Sequence, residues 1–100
     1  MSTDHRSIAK SRVESLIGIL TANPALDPIV AECQSLSTAI GAFHMEGIRF
    51  RMFNVDRLLN KGSFPIPAEA LAVFADVRQE LEAAGFHTRS HQAPPTASST

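Results

Sequence analysis

The sequence predicts an all-α fold: a three-helix antiparallel bundle or an elongated helical hairpin around a long central helix. Three observations lead to this prediction. Apolar residues recur at helical spacing through most of residues 1–90. No segment alternates apolar and polar residues as a half-buried strand does. Proline and glycine divide the chain into three helical segments, and its 100 residues suffice for one domain with one modest core.

The first helix is predicted over residues 4–21. Asp4 is a good N-cap residue, because its side chain can accept a hydrogen bond from a free N–H group of the first turn. Asn23-Pro24 ends the helix, since a residue before proline is biased away from helical geometry. The apolar residues between these signals are Ile8, Val13, Leu16, Ile17, Ile19 and Leu20.

The central helix is predicted over residues 28–61. Asp27-Pro28 is a strong start signal, because proline at the first helical position gives up an N–H group that has no partner there. Gly62 supplies a C-terminal cap. Gly41 and Gly47 weaken the helix by roughly 1 kcal/mol each without forcing a break. Its seam alternates steps of four and three: Ile29, Cys33, Leu36, Ile40, Phe43, Gly47, Phe50 and Asn54.

The third helix begins at Pro67, after a stiff connector that contains two prolines. Gly85 followed by Phe86 is typical of a glycine C-cap with an apolar clasp. The domain is therefore predicted to span residues 1–90, followed by a disordered C-terminal tail over residues 91–100, which cannot build a core. The buried stripe is predicted to be Ala70, Leu71, Phe74, Val77, Leu81 and Ala84.

The second half of the central helix is too apolar for one neighbouring helix to cover, because its apolar arc exceeds half of the circumference. A second copy of the chain is the simplest cover, so we expect a homodimer with a two-fold interface along this helix. The alternative is a bent central helix in a compact monomeric three-helix bundle. The predicted dimer interface is Met45, Ile48, Met52, Val55 and Leu59.

Basic residues intrude on the apolar stripes. His44 and Arg51 are seven residues apart, which places them on one side of the central helix. With Arg12 and Arg78 they are a candidate binding site for an anion or an acidic small molecule between the helices. Alternatively, the arginines pair across a subunit interface with carboxylates such as Glu32 or Glu82.

A partner-docking surface is predicted around Phe53, which lies on the outward side of the central helix beside Arg49 and Arg57. Nucleic-acid binding is not favoured. Arg51 lies apart from the other arginines, Glu46 dilutes the positive charge, and the formal net charge of the chain is -1.

The segment His44-Met45-Glu46-Gly47 resembles the phosphoacceptor segment of histidine phosphotransfer domains over some ten residues. The resemblance implies a helical bundle in which a mid-helix His44 accepts a phosphoryl group. The sequence departs from that pattern in three ways: the glycine comes one residue early, Glu46 stands where a cation is expected, and His44 is predicted to point into the apolar arc of the central helix.

The single cysteine, a pair of histidines and the lack of known motifs restrict the functions that the sequence favours. Cys33 is the only cysteine, so no intrachain disulfide can form, and we expect it to be a small buried thiol. His87 and His91 have the spacing of metal ligands on a helix, but they follow the predicted end of the third helix, so no metal site is expected. The sequence contains neither a catalytic nor a phosphate-binding motif, and we expect no enzyme activity and no cofactor.

No secretory leader or membrane span is expected, and a cytoplasmic location follows. The predicted function is therefore a small homodimeric protein–protein interaction module: an adaptor, a regulator or an accessory subunit. A sensor for a small molecule or an anion is the alternative, and a histidine phosphorelay component is a third reading.

Overall fold

The computed structural model describes residues 4–86, which form four α-helices and no strand. The predicted all-α class is confirmed. The tail predicted over residues 91–100 lies outside the described residues. In chain order the helices are α1 (His5–Leu20), α2 (Asp27–Gly41), α3 (Met45–Asn60) and α4 (Ala68–Ala83), with a 3₁₀ turn (Pro24–Leu26) before α2.

The start of α1 follows the prediction. The carboxylate of Asp4 accepts hydrogen bonds from the backbone N–H of Ser7, at 3.1 Å, and from its hydroxyl, at 2.7 Å. These hydrogen bonds hold the pKa of Asp4 below its usual value, because they stabilise the ionised form. The buried face of α1 consists of Ala9, Val13, Leu16 and Leu20.

The prediction of one continuous helix over residues 28–61 is wrong, because the chain leaves helical geometry between α2 and α3. Phe43 adopts a left-handed conformation with φ 56°. Its N–H donates to the carbonyl of Ile40 at 3.2 Å, and the N–H of His44 donates to the carbonyl of Ala39 at 3.1 Å. This pair of bonds is the Schellman arrangement that closes a helix C-terminus, and it usually places glycine at the left-handed position.

Two side chains stabilise this corner. The Nδ1 atom of His44 accepts a hydrogen bond from the backbone N–H of Gly47 at 2.8 Å, so His44 is the N-cap of α3. Arg6 of α1 donates to the carbonyl of Ile40 at 3.1 Å, and its guanidinium lies 3.9 Å from the centre of the Phe43 ring. A cation at the C-terminal end of α2 also interacts favourably with the helix dipole.

The end of α4 has the predicted glycine cap. Gly85 has φ 97°, and the N–H of Phe86 donates to the carbonyl of Leu81 at 2.9 Å. Phe86 and Leu81 are both buried, as the apolar clasp of this motif requires. Leu71 departs from the predicted stripe, because it is 40% exposed.

The four helices bury one apolar cluster, in which α1 packs against α2 and α4, and α2 packs against α3. Four of the five residues predicted to form a dimer interface belong to this cluster. Ile48, Met52 and Val55 are fully buried and Leu59 is 5% exposed, whereas Met45 is 42% exposed. The surface that the sequence assigned to a second copy is thus covered within one chain. This is possible because the break lets α3 turn back onto α2.

Among residues 4–86, no helix combines the length and the apolar character that crossing a membrane requires.

Candidate functional site

The candidate site is the side of α3 that faces away from the core. At about 100° per residue, the buried stripe of α3 occupies one side of the helix, and the remaining arc includes two aromatic and three charged residues. Phe50 is 47% exposed, Phe53 is half-buried, and Arg57 is exposed. We use the name outer face of α3 for these five residues of the arc: Glu46, Arg49, Phe50, Phe53 and Arg57.

Charges flank the two rings of the outer face. Arg49 Nη1 donates to Glu46 Oε2 at 2.9 Å, and the Glu46 side chain is 67% exposed. Arg57 lies in the last turn of α3 and Glu46 in the first, so each charge is on the end that the helix dipole favours. The outer face therefore has the Glu46–Arg49 ion pair at its N-terminal end, two aromatic rings in the middle and Arg57 at its C-terminal end. The predicted docking residues Arg49, Phe53 and Arg57 all lie on it.

The predicted ligand residues lie in separate places. Arg51 donates to the carboxylate of Glu32 at 3.1 Å, and the side-chain amide of Asn54 donates to the same carboxylate at 3.3 Å. Glu32 belongs to α2 of the same chain, so the arginine that was expected to bind a ligand or a partner subunit has an internal carboxylate instead. Arg12 is exposed on α1.

Arg78 belongs to α4 and points inward, as predicted. Its guanidinium lies 3.7 Å from Asp56, and the residue is only 9% exposed. This ion pair connects α4 to α3 across a groove of about 500 Å³. Leu71 and Phe74 provide apolar surface in the groove, and Glu82 adds another carboxylate.

His44 and Arg51 do share a groove, of about 430 Å³, between α2 and α3. The hydroxyl residues Ser35 and Thr38 also line it. His44 is exposed here, rather than directed into an apolar arc. Since it occupies the N-cap position of α3 and not the middle of a helix, it departs further from the phosphotransfer pattern.

Cys33 is fully buried, as predicted. Burial, with a smaller contribution from the neighbouring charge of Glu32, raises the pKa of the thiol to about 12. The thiol is therefore neutral near pH 7 and is a poor nucleophile. Within residues 4–86, no three His, Cys, Asp or Glu residues are grouped as a metal site would require. His87 and His91 lie outside the described residues.

Sequence reasoning missed the contacts made by the start of α1. Arg6 stacks on Phe43 at the corner, and Nδ1 of His5 lies 2.6 Å from Oε1 of Glu80 on α4. Both contacts join residues that are far apart in the chain, so no local sequence pattern predicts them. Sequence reasoning also placed Phe43 in the predicted seam of the central helix, whereas this residue is 64% exposed.

Comparisons with known proteins add no relative, since no family model, no curated protein and no solved structure matches this chain.

Proposed function

We propose that this protein is a small helical protein–protein interaction module, homodimeric and cytoplasmic, which acts as an adaptor, a regulator or an accessory subunit. One observation carries the proposal: the core stripe of α3 is buried within the chain, and α3 still places Phe50 and Phe53 on the outer face. Aromatic residues beside arginine are enriched at protein interfaces, because they bury a large area and keep polar partners at the rim.

The alternative function, an anion or small-molecule sensor, has weaker support. An anion in the groove beside His44 would compete with Glu32 for Arg51, whose Nη1 is 3.1 Å from that carboxylate. At Arg78 it would compete with Asp56. Bound carboxylates reduce the attraction of both sites for a further anion.

Solution mass tests the proposal. Light scattering over a dilution series should give twice the chain mass of 10.8 kDa at high concentration. Phe50→Ser should shift the protein toward monomer, because it removes an aromatic anchor without touching the core.

Leu71→Ser is the matched control, since Leu71 is exposed to a similar extent, lies on α4 and is absent from the outer face. It should leave the mass unchanged. A wild-type protein that stays monomeric, or a dimer that loses mass equally with both variants, would contradict the proposal.

A further inference from the structure

We propose that the outer face of α3 pairs with the same face of a second copy, with the two α3 helices antiparallel about a two-fold axis. The inference rests on the proposed function and gives that interface a partner and a register. Charged and aromatic residues follow one another along α3 in an order that suits such a pair, and the core stripe of α3 is buried within the chain itself.

The order of residues along α3 is self-complementary. Glu46 lies four residues before Phe50, and Arg57 lies four residues after Phe53. In an antiparallel pair, the register that places Phe50 against Phe53 of the second copy also places Glu46 against Arg57 of that copy. Two-fold symmetry repeats both contacts, so one register gives two ring pairs in the middle and an opposite-charge pair at each end.

A parallel pairing in register is disfavoured by the same residues. It would place Glu46 against Glu46 and Arg57 against Arg57, and like charges in direct opposition are repulsive. The direction of the pair thus follows from the charges, and its affinity from the rings. Glu46 and Arg57 are eleven residues apart, or roughly 16 Å along the helix. The contact is short, so we expect a dimer that dissociates on dilution.

Among residues 4–86, pairing through this face leaves the buried stripe of α3 in place. The residues of the face alternate with the buried stripe of Ile48, Met52, Val55 and Leu59, which stays in the core. Arg51 flanks the face, keeps its bond to Glu32, and lies with its guanidinium 5.1 Å from the centre of the Phe50 ring. Pairing through the outer face is therefore compatible with both the buried stripe and the Arg51–Glu32 bond.

Charge reversal tests the register. Glu46→Arg alone should raise the dimer dissociation constant about tenfold, because both end contacts become arginine against arginine. Arg57→Glu alone should have a similar effect. Mixing the two variants in equal amounts should restore wild-type affinity, since each end of the mixed dimer pairs one arginine of the Glu46→Arg copy with one glutamate of the Arg57→Glu copy.

Matched controls exclude general charge effects. Glu69→Arg makes the same change in the first turn of α4, away from the outer face, and Arg12→Glu makes the opposite change on the exposed side of α1. Neither should alter the dissociation constant more than twofold. Helical circular dichroism establishes that each variant is folded before its mass is measured.

The outcomes separate the two proposals. A wild-type monomer at all concentrations would overturn both the homodimer and this register. A wild-type dimer that ignores both reversals, or single variants that stay monomeric when mixed, would overturn the register alone. Loss of affinity in each single variant, with recovery on mixing, is the result expected for antiparallel pairing of α3 with a second copy.

Discussion

Replacing Phe43 by glycine and by alanine tests whether the chain breaks between α2 and α3. Phe43 has φ 56°, a left-handed conformation that costs an ordinary L-residue roughly 1–2 kcal/mol and costs glycine little. In the interior of a helix the preference is reversed, because glycine is about 1 kcal/mol less favourable than alanine. The sign of the difference between the two variants therefore reports the local backbone.

The comparison isolates the backbone because both variants lack the phenyl ring. Each loses the contact with the Arg6 guanidinium, 3.9 Å from the ring centre, which is worth about 0.5–1 kcal/mol at an exposed site. The alanine variant keeps the cost of the left-handed conformation. The glycine variant avoids that cost, but its unfolded chain is more flexible, which lowers the free energy of unfolding by about 0.4–1 kcal/mol. We expect Phe43→Gly to be more stable than Phe43→Ala by about 0.5–1 kcal/mol.

Urea unfolding, followed by helical circular dichroism, measures this difference. Two glycines provide controls. Gly85 has φ 97°, so Gly85→Ala should destabilise the protein by about 1 kcal/mol. Gly18 lies in α1, where nothing is within 4 Å of an added Cβ, so Gly18→Ala should stabilise it by up to about 1 kcal/mol.

If both controls behave as expected and Phe43→Ala is the more stable variant, position 43 is helical. In that case α2 and α3 form one helix, and the conclusion that a single chain buries the core stripe of α3 is refuted.

The remaining predictions concern single contacts. Gly47→Ala should gain little or no stability, unlike a usual helix glycine, because the new Cβ would lie 2.7 Å from Nδ1 of His44 and displace that cap; a gain near 1 kcal/mol in urea unfolding would contradict it. Cys33 should resist iodoacetamide until the protein unfolds, since its thiol is buried and neutral near pH 7; rapid alkylation of folded protein would contradict this. The pKa of the Cys33 thiol is about 12 in the folded protein and 9.0 ordinarily, so the stability that the buried neutral thiol contributes is present below pH 9 and is lost as pH rises toward 12. The free energy of unfolding of the wild type should therefore fall by about 1.4 kcal/mol between pH 8 and 10, relative to that of Cys33→Ala. Arg78→Met should lower the free energy of unfolding by about 1 kcal/mol, because it leaves Asp56 without that cation, and an unchanged urea midpoint would show that the ion pair contributes nothing.

The first and last helices could be predicted because their ends use the residues that usually occupy those positions. Asp4 caps α1, and Gly85 with Phe86 closes α4. The break before α3 has the same hydrogen-bond geometry as the end of α4, but its left-handed position holds Phe43, and the nearest glycine lies two residues earlier. Local sequence therefore suggested a weakened helix, whereas contacts from Arg6 stabilise a corner.

The candidate site was predictable only where it depends on helical phase. Arg49, Phe53 and Arg57 share one side of α3 wherever that helix begins, so periodicity placed them together. The ligand set depended instead on which helices meet. Arg51 reaches Glu32 because α3 turns back onto α2, and Arg78 of α4 comes within 3.7 Å of Asp56 of α3. Neither pairing can be read from spacing within one helix.

The break also decides which surface is available to a second copy. In a straight helix, the apolar residues of the α3 segment form one wide arc that a single neighbour cannot cover. In the folded chain this arc is divided. A Cβ at position 47 would lie 3.4 Å from the Ala39 methyl, so α3 approaches α2 closely there, while Ile48 and its stripe enter the core. Phe50 and Phe53 lie outside the buried stripe, so the proposed self-association through α3 would use them and not the residues that the chain already buries.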